Sequence, residues 1–141
     1  MPTTNYQATA YKQTRVKTAG AGQLLVMLYD EAIRQLETAA DLLDTNTKQF
    51  DKVNNAILKA RDIITELMVS LDMEKGGEFA QTMFSLYLWF NEQLLEANLS
   101  KQAEPIRVIA QQLAQIRDAW SEIAGTTTAA PQKRNGVNIA G

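Results

Sequence analysis

Histidine and cysteine are both absent from the 141 residues. Their absence excludes a Cys or His zinc site, a thiol nucleophile, a Ser-His-Asp triad, a haem-ligating histidine and an iron–sulfur cluster. No disulfide can form, so the fold must rest on packing alone, which is compatible with a reducing compartment. Long apolar runs are missing as well. The longest, Leu24 to Tyr29 and Leu86 to Phe90, fall far short of the roughly 20 residues that cross a bilayer. Met1 to Thr9 is polar and lacks the apolar stretch of a secretory signal. The expectation is a cytoplasmic protein without membrane insertion. At 45% hydrophobic residues, the length suits one domain around a single core.

The net charge of -2 hides a division. Residues 1–20 carry Lys12, Arg15 and Lys17 and no acid, and residues 126–141 carry Lys133 and Arg134 and no acid. Fourteen basic residues less these five leave nine between 21 and 125, against all sixteen acids, so the body carries -7. An acidic body without an arginine stripe repels nucleic acid, and no nucleic-acid partner is expected.

Apolar spacing predicts four helices. Leu25, Tyr29, Ala32, Leu36, Ala39 and Leu43 step by four and three residues along Gln23–Asp44, a helical stripe. Thr18 stands before it as a possible cap and Asp44-Thr-Asn-Thr after it as a turn. Phe50, Val53, Ile57, Ala60, Ile64, Leu67 and Leu71 repeat the pattern over about 49 to 73, until Gly76-Gly77 interrupts it. A third helix, about 78–99, carries Ala80, Met83, Tyr87, Phe90, Leu94 and Ala97, and Asn98 to Ala103 reads as a break. The fourth has Pro105 in its first turn and continues Ile106, Ile109, Leu113, Ile116, Trp120 and Ile123. Gly125 and the threonines after it are read as its end. Four such helices joined by short loops predict an all-α, antiparallel up-and-down four-helix bundle. The chain divides into an N-terminal arm at 1–20, a bundle domain at 21–125 and a disordered, flexible tail at 126–141.

Catalytic chemistry has no carriers. A di-iron bundle needs inward Glu-x-x-His pairs, and the glycines form no phosphate-binding fingerprint. Asp72 and Glu74 lack the spaced oxygens of a calcium loop. Adjacent acids such as Asp30 and Glu31 read as solvated. No enzyme activity, metal or cofactor is expected.

The third helix carries more apolar surface than one seam uses. Phe84, Leu88, Leu95 and Leu99 widen its apolar arc to about 200°, roughly twice the minimum for a helix covered on one face. Trp89 falls nearly opposite the seam. Such a surplus fits a wide core, a dimer contact, or a groove for a partner helix covered by a mobile segment when empty. Tyr6, Tyr11 and Val16 are apolar anchors in the otherwise polar arm, placed to dock onto the bundle or onto a partner. Ile57, Ala60, Ile64 and Leu71 on the second helix, with Phe84, Leu88, Trp89 and Leu95 on the third, are the candidates to line or support the groove.

A set of segments in fixed order completes the reading. Ala10-Tyr-Lys-Gln, Val16-Lys-Thr-Ala, Gln23-Leu-Leu-Val-Met-Leu-Tyr-Asp and Lys59-Ala-Arg-Asp-Ile-Ile-Thr-Glu-Leu are followed by the Leu71-Asp and Gly76-Gly-Glu-Phe-Ala junction, Leu86-Tyr, Leu94-Leu-Glu-Ala-Asn and Arg117-Asp-Ala-Trp. Together, over about 6 to 122, they resemble the FliS family of flagellar secretion chaperones. The resemblance implies a cytoplasmic bacterial protein that binds the disordered C-terminal segment of flagellin. Binding would prevent premature polymerisation and assist delivery to the flagellar export gate. It also implies a client that wraps the bundle and an arm that occupies a groove when no client is present. The sequence departs from the family at Gly20-Ala-Gly, where Ser-Pro-Gly is common, and at Glu31, where Gly is frequent. Phe84, Leu88 and Trp89 stand where acids or Tyr are usual. The alternative is a non-catalytic helical adaptor or regulatory homodimer that sequesters another helical partner.

Overall fold

The computed structural model describes residues 20–45 and 48–129, with side chains followed as far as Gly125. Four helices result: α1, Ala21–Asp44; α2, Phe50–Val69; α3, Gly77–Ser100; and α4, Ala103–Ala129. Helix α1 packs against α2 and α4, and α3 packs against the same two. The helices therefore run in chain order around the bundle, and the short links at 45–49, 70–76 and 101–102 make each antiparallel to the one before. The all-α four-helix bundle read from the apolar spacing is the architecture found.

The predicted stripes meet at the centre. Tyr29 and Leu36 of α1, Ile57 and Ile64 of α2, Phe90 and Leu94 of α3, and Ile106 and Leu113 of α4 are fully buried. Each large apolar side chain so placed contributes about 1.5–3 kcal/mol. Across the diagonal, the hydroxyls of Tyr29 and Tyr87 hydrogen-bond each other. Burial pushes both phenols above their ordinary pKa, so each remains neutral and keeps its proton for that bond.

Several boundaries differ from the sequence reading, each for a local reason. The residue capping α1 is Gly20, which makes no side-chain cap bond; Thr18 lies outside the described residues. Helix α2 stops at Val69 rather than near 73, and Leu71 leaves the helix but still packs on the core. In the link beyond it, Asp72 Oδ1 accepts the backbone N–H groups of Glu74 and Lys75 at 3.2 and 3.0 Å, a turn that competes with helix. A Cβ on Gly76 would lie 2.5 Å from Ala80 Cβ and 2.6 Å from the Asp72 carbonyl, and Gly77 has φ +58°. Both positions require glycine.

The expected break at Asn98 to Ala103 shrinks to Lys101 and Gln102. Lys101 takes a left-handed backbone at φ 55°, and its Nζ donates to the Asn98 carbonyl and Oδ1, each at 2.6 Å. Those bonds offset the 1–2 kcal/mol or so that a side chain costs there. At the other end α4 continues through Gly125 to Ala129. Among the described residues Gly77 is the only glycine with positive φ, and a glycine kept in helical conformation weakens a helix by about 1 kcal/mol without stopping it.

Asp30 and Glu31 are not simply solvated. Asp30 Oδ1 accepts from Arg117 Nη1 at 2.5 Å, tying α1 to α4, and Arg107 bridges Asp41 and Asp44 farther along the same seam. Desolvation raises the pKa of the Glu31 carboxyl, but hydrogen bonds from Arg34 and Gln35 outweigh it and hold it below the usual carboxylate range.

Candidate partner-binding surface

Two asparagines pin α3 to α2. Asn91 Nδ2 donates to Thr65 Oγ1 at 3.2 Å, and Asn98 Nδ2 donates to Asn54 Oδ1 at 2.8 Å. Phe84, Asn91 and Asn98 are spaced by seven and so form one row along α3. Leu88 and Leu95, also seven apart, form the next row outward, and Leu99 extends it. All four apolar residues are exposed, Leu88 by 45% and Leu99 by 78%. On the facing side of α2, Leu58 and Val69 lie eleven residues apart, three turns on one face, and are exposed too. An apolar groove thus runs along the outside of the α2–α3 seam, with the asparagine bridges in its floor.

The opposite flank of α3 meets α4 differently. Phe79 packs edge-on against Trp120, with ring centroids 6.3 Å apart. Trp89 lies farther out on that side, 41% exposed, resting on Phe90 at 5.8 Å. Val108 and Ile123 of α4 are likewise exposed. A separate cavity of about 330 Å³ opens between the start of α1 and the end of α4, lined by Gln23, Val26, Met27, Ser121, Ala124 and Gly125.

The candidate residues do not form one set. Phe84, Leu88 and Leu95 gather in the α2–α3 groove. Trp89 is exposed as the helical wheel requires, but it faces another way. Ile57, Ala60 and Ile64 are fully buried and line nothing. They sit at the centre of α2's seam, where the bundle closes over them. Leu71 is half-buried in the link against the core. Tyr6, Tyr11 and Val16 lie outside the described residues.

Leu58 and Val69 were missed by sequence reasoning, as were Phe50 and Phe79. The signal existed for the first two, as large apolar residues off the seam and three turns apart. Phe50 was read as core because it continues the stripe, yet as the first residue of α2 it reaches past the bundle's end and is exposed, 6.0 Å from Lys101 Nζ.

Among the described residues no group of three or more acids converges to hold a metal, and no helix is long and apolar enough to cross a membrane. Among the described residues the arrangement offers apolar area for another chain.

The family model described as "Flagellar protein FliS" matches residues 3–127. A curated relative from Salmonella typhimurium, named a flagellar secretion chaperone, is 36% identical over 115 residues, covering 79% of this chain and 82% of its own. An Escherichia coli protein of the same name is 32% identical over 111 residues, 78% of this chain and 80% of its own. One from Bacillus subtilis is 28% identical over 114 residues, with 81% and 83% covered. With a match that takes in the arm's Tyr6 and Tyr11 as well as all but the last two residues of α4, this chain belongs to the FliS family of flagellar proteins.

Proposed function

We propose that this chain is an export chaperone that binds the C-terminal segment of flagellin in the cytoplasm, keeps it from premature polymerisation and assists its delivery to the flagellar export gate. Family membership supports the general role. The observation that carries the binding mode is the exposed row of Phe84, Leu88, Leu95 and Leu99 beside Leu58 and Val69. A contiguous apolar surface of this kind is unusual on a protein that works alone, and a groove between helices fits a helix laid along it. Trp89 adds a second contact on the far side of α3, reached by a client that wraps. The step is binding without catalysis.

The arm has a part in the same reading. Tyr6, Tyr11 and Val16 cover apolar surface in the empty protein, and Lys12, Arg15 and Lys17 favour staying near the acidic body. Ordering the arm costs about 1–2 kcal/mol per residue fixed, so the covered state is weak and the client displaces it.

A disordered client must bury about 1,000–3,000 Å² to offset its own ordering. Calorimetry of the purified protein with flagellin is expected to show binding with a negative heat-capacity change. Flagellin lacking its C-terminal segment is expected not to bind. Equal binding of both forms, or a near-zero heat-capacity change with affinity that collapses in salt, would overturn the assignment. A protein that ignores flagellin and sediments as a tight dimer would instead support the regulatory homodimer.

A further inference from the structure

The α2–α3 groove is apolar along its walls and anionic along its shoulders. Helix α3 has no lysine or arginine between Gly77 and Ser100. Its Glu92 follows Leu88 by one turn and Glu96 follows Glu92 by another, which places both on the solvent side of the leucine row. On α2, Asp62 follows Leu58 by one turn and Asp51 precedes it by two, again outside the apolar row. Asp51, Glu92 and Glu96 are exposed and Asp62 is half-buried.

Among the described residues, none of the four forms an ion pair. Lys59 lies on the α1 side of α2, where it acts on Glu31. Lys52, seven residues earlier, shares its row. Lys101 is held by Asn98 and the face of Phe50. Arg61, seven residues after Asn54, shares the row of the asparagine bridges and is half-buried beneath the shoulders, with its Nε buried. The antiparallel register set by the two asparagine bridges brings Asp62 level with Glu92, one on each shoulder of the groove. Acids reach both ends of it: Glu78 precedes Glu96 by five turns on the same row of α3, and Glu66 follows Asp62 by one turn on α2.

We propose that this groove selects an amphipathic helix whose apolar face is flanked on both shoulders by lysine or arginine. The inference rests on the proposed function and names the chemistry of the client at the same site. A docked apolar face excludes water from between the shoulders, where charges are screened least and act most strongly. Cations on the client neutralise the paired acids. Acids on a competing helix meet them unpaired, which rejects it.

The test uses the full chain and the C-terminal segment of flagellin. Asp62→Lys with Glu92→Lys is compared with Glu104→Lys with Glu122→Lys, which makes the same change in net charge on exposed positions of α4. Circular dichroism confirms that both variants fold. The rim variant is expected to bind the segment roughly 10-fold more weakly near physiological salt, as two rim charges are reversed. The gap should narrow at high salt, and the control should stay within about 2-fold. A segment with its shoulder Lys and Arg residues changed to Glu is expected to bind the rim variant better than it binds the unaltered protein. Equal losses in rim and control, or no such rescue, would overturn the charge selection while leaving the chaperone assignment standing. An unaltered protein that does not bind the segment at any salt concentration would overturn both.

Discussion

Helices α1 and α3 are each 24 residues long, and they spend their surfaces in opposite ways. The apolar side chains of α1 turn inward, and its outer edge is tied to α4 through Asp30, Asp41 and Asp44. α3 buries an equally full seam, yet leaves Phe79, Phe84, Leu88, Trp89, Leu95 and Leu99 exposed and has no cation of its own. Its links to the other helices include two asparagine bridges, the Tyr29–Tyr87 hydrogen bond and one aromatic edge contact. One helix is finished by its own chain. The other leaves an apolar face open along its length.

The comparison breaks most sharply within α3 itself. Phe90→Ala removes a fully buried ring and is expected to cost about 3–5 kcal/mol in urea unfolding. Phe84→Ala, six residues away and exposed, should cost less than about 1 kcal/mol. Equal losses would mean that the Phe84 face is core. Gly76→Ala is next, at roughly 1–3 kcal/mol, because its Cβ would collide with Ala80 and the Asp72 carbonyl. If the same denaturation curves show no change, the turn that launches α3 is more adaptable than its geometry implies.

Trp89→Ala sharpens the contrast between stability and binding. It should leave unfolding almost unchanged while weakening the flagellin segment by about 1–3 kcal/mol, measured by titration calorimetry. A folding loss above about 3 kcal/mol would return Trp89 to the core.

The buried tyrosines give a pH dependence with a definite sign. Their folded pKa values lie above the unfolded value of about 10. The unfolded chain therefore loses its phenolic protons first, and stability, fully present below pH 10, falls as pH rises beyond it. The slope approaches about 1.4 kcal/mol per pH unit for each tyrosine. Replacing Tyr29 and Tyr87 together by Phe should flatten that decline in unfolding curves taken between pH 9 and 11. An equally steep decline in the double variant would assign it to other groups. The smallest effect belongs to α1: Arg117→Met breaks a mostly exposed bridge to Asp30 and should cost about 0.2–1 kcal/mol, detectable as a small shift of the denaturation midpoint.

The four stripes, and with them the bundle, were legible because helical periodicity is local. Ile57, Ala60 and Ile64 could be placed on one face of α2 from spacing alone. That this face is sealed, and so cannot touch a client, depends on what three other helices bring to it. The helix ends at Val69 and Ser100 escaped for a related reason. They are set by single contacts, such as the carboxylate of Asp72 in its turn and the ammonium of Lys101 on Asn98, which outweigh local propensity by about a kilocalorie.

By itself the sequence determined the fold class, through apolar residues recurring every three or four positions. It ruled out thiol, histidine and common metal chemistry by omission, and through ordered segments it pointed to the family. It also marked α3 as carrying surplus apolar surface. Only the tertiary structure decided how that surplus is divided, into a groove against α2 and a separate face toward α4 that carries Trp89. It alone paired Leu58 and Val69 with the leucine row and set Asp62 across from Glu92. The physical reason is that a residue's angle on its own helix follows from its number, whereas its partner across a seam follows from the register of two antiparallel helices. That register is fixed here by the Asn91–Thr65 and Asn98–Asn54 hydrogen bonds, between residues 26 and 44 positions apart in the chain.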